Sequence, residues 1–184
     1  VLSLFIDKRC VPRAHLKRLV DASTAEFFSS EVILHRPLNR FPGVIVQELF
    51  HGPTLSFKDI AMGFVVNLLH YFLQRRGERR TPLVATSGDT GLAAGYAVKG
   101  KQNLDVWLFY GAGFVTEEQE RQMTTLMVAN VHPVRVRESE NGSDYLDHLI
   151  AQLVADRPLH KKLQFSSVNS INWARVMMQT VHYF

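Results

Sequence analysis

One lysine stands apart for its setting. In Glu48-Leu-Phe-His-Gly-Pro-Thr-Leu-Ser-Phe-Lys-Asp59, Lys58 follows a Gly52-Pro53 turn and opens an apolar stretch in which Ile60, Phe64, Leu68 and Phe72 recur every four positions, widened by Ala61, Val65 and Leu69. That spacing predicts a buried helix face from Phe57 to Phe72, with Lys58 in its first turn. Ser56 is placed to cap the helix, with Asp59 three residues on as its capping partner. The helix dipole puts partial positive charge at this end and burial acts in the same direction, so both favour a neutral amine over an ammonium. A neutral lysine attacks carbonyl carbon to form an imine. The competing reading is a solvated surface lysine at a helix start.

A second motif suits anions. Thr81 to Thr86 reads as a short buried strand, Ser87-Gly-Asp-Thr-Gly91 as a tight polar loop, and Leu92 to Lys99 as a helix with three alanines. Backbone N–H groups at such a helix start bind carboxylate or phosphate, and the hydroxyls of Thr86, Ser87 and Thr90 can add donors. The loop fits neither G-x-x-x-x-G-K-[ST] nor G-x-G-x-x-G, so nucleotide binding has no motif behind it, and a phosphate-loop kinase would need its lysine inside the glycine loop.

Together, Leu55-Ser-Phe-Lys-Asp59 and the later Ala85-Thr-Ser-Gly-Asp-Thr-Gly91 resemble the threonine synthases and threonine synthase-like phospho-lyases, which belong to the tryptophan synthase β-type pyridoxal phosphate enzymes. The resemblance continues through Gln119-Glu-Arg-Gln-Met123, Asn130-Val-His132 and Ser167-Val-Asn-Ser-Ile-Asn-Trp-Ala-Arg175, so it covers the chain from about Glu48 onwards and is looser before it. It implies an α/β, two-lobed fold type II PLP-dependent enzyme with parallel sheets flanked by helices. The chain reads as an incomplete part of one, because the family's glycine-rich loop for the cofactor phosphate and its polar residue facing the pyridine nitrogen lie further downstream.

The resemblance also implies roles. Lys58 would carry pyridoxal 5'-phosphate as a Schiff base and then move protons on substrate carbons. Thr86, Ser87, Gly88, Asp89, Thr90 and Gly91 would wrap the substrate carboxylate beside the cofactor's phenolic oxygen, with Asp89 nearest that oxygen. His51 matches a position near the lysine, against a plain reading as a turn or packing histidine. Asn169, Ser170, Asn172 and Arg175 would approach the cleft, and Arg175 would pair with a substrate phosphate or else lie on the surface of the last helix. The implied substrate is the phosphorylated amino acid O-phosphohomoserine. Phosphate leaves the γ carbon; water added at the β carbon gives threonine, and release without hydration gives 2-oxobutyrate and ammonia. A non-catalytic truncated relative is the reading from another class. One departure touches the substrate: no basic residue lies between Lys101 and Arg121, where the family usually has one.

The elements that must position these residues alternate. Asp105 to Tyr110, Val131 to Val136 and Leu163 to Val168 read as strands; Thr116 to Met127, Ser143 to Asp156 and Ser170 onwards read as helices. Alternation of this kind implies a parallel sheet wrapped by helices. Before it, the residues up to Ser30 look helical, with Val11-Pro12 opening one helix, and Val44 to Leu49 is a strand. With the resemblance, residues 1–80 form part of the large cofactor-lysine lobe, 81–168 a small α/β lobe with the Ser-Gly-Asp-Thr-Gly loop, and 169–184 a helix returning to the large lobe.

Composition narrows the class. Hydrophobic residues make up 46% and charged residues 21%, which excludes disordered and fibrous chains. One cysteine, Cys10, forms no internal disulfide and fits a reducing, cytoplasmic setting. No apolar run reaches a membrane span. The net charge of +4 includes the cluster Arg75-Arg-Gly-Glu-Arg-Arg80, which suits a helix end capped by Gly77 better than nucleic acid. The eight histidines show no metal-ligand spacing, so no metal is expected.

Overall fold

The computed structural model describes residues 1–137, 143–169 and 172–183. The chain runs α1 (Leu2–Phe5), α2 (Arg13–Ser23), β1 (Leu34–Pro37), β2 (Ile45–Glu48), α3 (Lys58–Arg76), β3 (Thr81–Thr86), α4 (Asp89–Val98), β4 (Val106–Gly111), α5 (Glu117–Thr124), β5 (Val131–Val136), α6 (Ser143–Ala155), α7 (Arg157–Leu163), β6 (Phe165–Ser167) and α8 (Trp173–Gln179), closing on a 3-10 turn at Thr180–Tyr183. Strands β5-β4-β3-β6 form one sheet in that order, every pair parallel. Parallel strands are buried on both faces, and here helices cover both. Val84, Val106, Leu108 and Tyr110 pack towards α3 and α4, whereas Leu83, Phe109 and Phe165 pack towards Leu146 of α6.

The helix opened by Lys58 is apolar on two sides rather than one. Met62, Val65, Val66 and Leu73 join the sheet-side core, while Ile60, Ala61 and Phe64 pack with Leu2, Ile6, Val11 and Leu16 and with Met177 and Met178 of α8. A helix buried on two sides is rigid along its length, which suits an element that must hold a reactive group at its first turn. It ends at Gly77, whose φ of 64° is left-handed and whose N–H bonds back to Gln74.

Several boundaries differ from those expected. Helix α4 starts at Asp89 rather than Leu92, because the Thr86 hydroxyl gathers the N–H groups of Gly88 and Gly91 and winds the loop into the first turn. The strand expected over Val44 to Leu49 has a partner that its exposed residues did not announce, since β1 pairs antiparallel with β2. Between Asp156 and the last strand lies α7, capped by Asp156, whose Oδ1 accepts from Leu159 N–H at 3.0 Å. Helix α8 begins at Trp173 because Asn172 caps it.

Candidate active site

The turn before α3 is built around Asp59. Its carboxylate accepts from the Thr54 N–H (2.8 Å) and the Thr54 hydroxyl (2.7 Å), and it is 5% exposed. Burial pushes its carboxyl up, against the pull of those Thr54 bonds. The expected capping box is therefore not formed. Asp59 reaches back to Thr54, the cap position falls on Phe57 without a side-chain bond, and the Ser56 hydroxyl accepts the Lys58 N–H at 3.3 Å. Leu55, in the same turn, takes a left-handed φ of 59°. Lys58 is thus the first residue of α3, half-buried, with its Nζ 5.1 Å from the centre of the Phe57 ring.

That amine meets the glycine loop. Lys58 Nζ donates to Asp89 Oδ2 at 2.9 Å, and the Ser56 hydroxyl reaches the same oxygen at 3.4 Å. Asp89 Oδ1 accepts from Gln119 Nε2 at 2.7 Å. The Lys58 bond holds the Asp89 carboxyl below the usual carboxylate range; burial opposes it, and Gln119 and Ser56 add to the lowering. Gly88, just before, has φ 132° and is buried, and a Cβ there would overlap the Gln119 carboxamide. Only glycine tolerates both conditions. A cleft of about 390 Å³ opens beside the pair, walled by Phe50, Thr54, Leu55, Ser56, Phe57 and Asp89.

The other expected residues divide. Thr86 faces inward: its hydroxyl accepts from Gly88 and Gly91 N–H at 3.0 and 2.9 Å and lies 3.1 Å from the Gly88 carbonyl, so it braces the loop. Ser87 is exposed and Thr90 half-buried. His51 pairs with Glu48 at 2.9 Å and tilts against Phe50, with centroids 4.7 Å apart; no bond joins it to Lys58 or Asp89. Asn169 Nδ2 donates to the Ser167 hydroxyl at 3.2 Å. Asn172 caps α8 by accepting from Ala174 N–H at 3.0 Å. Ser170 lies outside the described residues. Arg175 is 3% exposed rather than on the surface, and its Nε and Nη1 have no hydrogen-bond partner. Burial holds its guanidinium below the ordinary value.

Gln119, to which the residue patterns give no role, is the side chain on Asp89 Oδ1, and Thr116-x-x-Gln119 is a legible capping box. Nearby, the Tyr110 hydroxyl donates to Glu120 Oε1 at 3.1 Å; burial and Glu120 push its pKa up to about 12, so it stays a neutral donor. Among the described residues no group of His, Cys, Asp and Glu is arranged to hold a metal ion, and no helix is long and apolar enough to cross a membrane.

No family model matches the chain. It aligns over its whole length with a threonine synthase-like 2 of Xenopus laevis, 42% identical, and with threonine synthase of Eremothecium gossypii, 38% identical, covering 38% and 37% of those proteins. The crystal structure of PLP-bound threonine synthase from Brucella melitensis matches the whole chain with a TM-score of 0.88 at 38% identity, and the chain covers 38% of it. The chain thus spans well under half the length of the relatives it matches. The chain is thus homologous over its whole length to threonine synthases and threonine synthase-like 2 proteins, and it has the α/β architecture of fold type II.

Proposed function

We propose that the protein containing this chain is a PLP-dependent lyase that converts O-phosphohomoserine and water to threonine and phosphate. The observation that carries the proposal is the 2.9 Å approach of Lys58, at the first turn of a doubly buried helix, to Asp89 in the glycine loop. The residues present fit the cofactor: a carboxylate lining an open cleft, an amine bonded to that carboxylate, and a buried guanidinium on α8 with two N–H-bearing nitrogens unpartnered. When bound, PLP supplies the conjugated ring that stabilises negative charge on substrate carbons.

The chain's own residues supply the rest. Lys58 would hold the cofactor's carbonyl carbon and, once freed, take and return protons at the substrate α and β carbons. Asp89 would face the cofactor's phenolic oxygen. Ser87 and Thr90, with the N–H groups at the start of α4, receive the substrate carboxylate, and Gly88 and Gly91 let it approach the backbone. The unpartnered N–H groups of Arg175 suit a phosphate, for which guanidinium geometry is matched. In the same reading Asn169 and Asn172 would approach the cleft, as would Ser170, which lies outside the described residues. Phe50, Leu55 and Phe57 give the cleft apolar walls. His51, tied to Glu48, orients the turn.

In this reading residues 1–80 belong to the cofactor-lysine lobe, 81–168 to the small lobe, and 169–184 return to the first; the packing of Met177 and Met178 on Phe64 and Leu2 supports the return. The setting is the cytoplasm. The 42% identity to a threonine synthase-like 2 favours a second outcome, release of 2-oxobutyrate without hydration. Incubating the full-length natural protein with O-phosphohomoserine and PLP decides: equal phosphate and threonine support the synthase, phosphate with 2-oxobutyrate supports the phospho-lyase, and no phosphate release rejects both.

A further inference from the structure

We infer that Gln119 is a positioning residue that orients the Asp89 carboxylate and sets the glycine bend beneath it, an inference that rests on reading Lys58 and Asp89 as cofactor contacts.

The orientation of the Gln119 amide is fixed from both sides. Its Oε1 accepts from the Thr116 N–H at 3.0 Å, while the Thr116 hydroxyl accepts the Gln119 N–H at 3.2 Å, closing a capping box at the start of α5. With Oε1 committed to an N–H, Nε2 must point away, and there it lies 2.7 Å from Asp89 Oδ1. A backbone donor on one side and a carboxylate on the other both demand the same amide orientation.

Asp89 is held on its two oxygens by different groups. Lys58 and Ser56 share Oδ2, and Gln119 has Oδ1. A lysine that leaves to serve a cofactor carbonyl gives up its contact on Oδ2, whereas the Gln119 bond comes from a capped helix on another element and persists. Gln119 also lies directly on Gly88, where a Cβ would overlap its carboxamide. One side chain thereby sets both the carboxylate and the bend that carries it.

Q119E separates this role from helix capping. The introduced carboxylate still accepts the Thr116 N–H, so the cap is retained, but it places an anion against Asp89. In cofactor-free full-length protein, the Asp89 titration followed by carbon-13 carboxyl NMR, with D89N identifying the resonance, moves to higher pH in Q119E and, less far, in Q119A. In the loaded enzyme kcat falls about tenfold in Q119A, the loss of one bond to a charged group, and further in Q119E, with KM for the amino acid within about twofold. The acid limb of the pH profile moves up with the Asp89 titration. A wild-type Asp89 titration and pH profile in Q119E overturn the inference. Borohydride fixation of PLP on wild-type Lys58 tests the underlying reading separately, and its failure leaves the cofactor-free titration still able to decide whether Gln119 governs Asp89.

Discussion

Arg175 offers a test in which stability and binding move in opposite directions. Its side chain is 3% exposed, and its Nε and Nη1 have no hydrogen-bond partner. A buried donor left unbonded costs about 1–3 kcal/mol, and an uncompensated charge adds to that. Methionine is a long, flexible side chain with neither donors nor charge, and the change of shape costs about 1 kcal/mol. Taking about 1.5 kcal/mol for each of the two orphaned donors, R175M should raise the free energy of unfolding by about 2 kcal/mol. Urea unfolding at pH 7 reads this directly. Inorganic phosphate at a hundredfold excess over its Kd should stabilise the wild type by about 2.7 kcal/mol and leave R175M unchanged. If R175M unfolds more easily than wild type and phosphate acts equally on both, the guanidinium is a structural group and the anion-site reasoning fails.

Other perturbations follow from the same geometry. G88A meets a left-handed backbone and the Gln119 carboxamide together, so it should cost about 2–3 kcal/mol in thermal unfolding, with part of the loss recovered in the G88A/Q119G double variant. T54V removes the hydroxyl donor of a buried carboxylate and should cost about 1–2 kcal/mol by urea unfolding. N172A removes the α8 cap, about 1 kcal/mol by the same measurement. Because the Asp89 carboxyl is held below its unfolded value, its contribution to stability is present above the ordinary aspartate pKa and is lost as pH falls through the folded value. Urea midpoints measured downward from pH 7 should therefore fall less steeply in K58M than in wild type.

Local signals in the sequence were enough for the scaffold. The limits of β3 and β5 were as read, because short apolar runs bounded by turns leave little choice, and Gly77 after the arginine pair marked the end of α3. Lys58 fell in the first helical turn for the same reason. Local patterns do not give pairings across distance, and only the family resemblance sets Lys58 opposite the Ser87 to Gly91 loop. Asp89 meets Lys58 and Gln119 from 31 and 30 positions away, and nothing local to any of the three announces it. Asp59 turned back to Thr54 because a buried carboxylate needs two donors and the turn supplied them at once. Thr86 was read as facing a ligand, yet two glycine N–H groups without other partners drew its hydroxyl inward. Arg175 is buried only because α8 packs onto α3, a contact made by Met177 and Met178 that the isolated helix pattern does not specify.

The most direct test of the lysine's role is chemical. Mixing the full-length natural protein with PLP, reducing with borohydride and mapping the product by mass spectrometry should place the cofactor on Lys58 alone, with the label absent from K58A and from no other variant of the loop except by weakened binding. Labelling scattered over surface lysines, at the level of a denatured control and unchanged in K58A, would contradict the assignment of Lys58 as the cofactor-bearing residue.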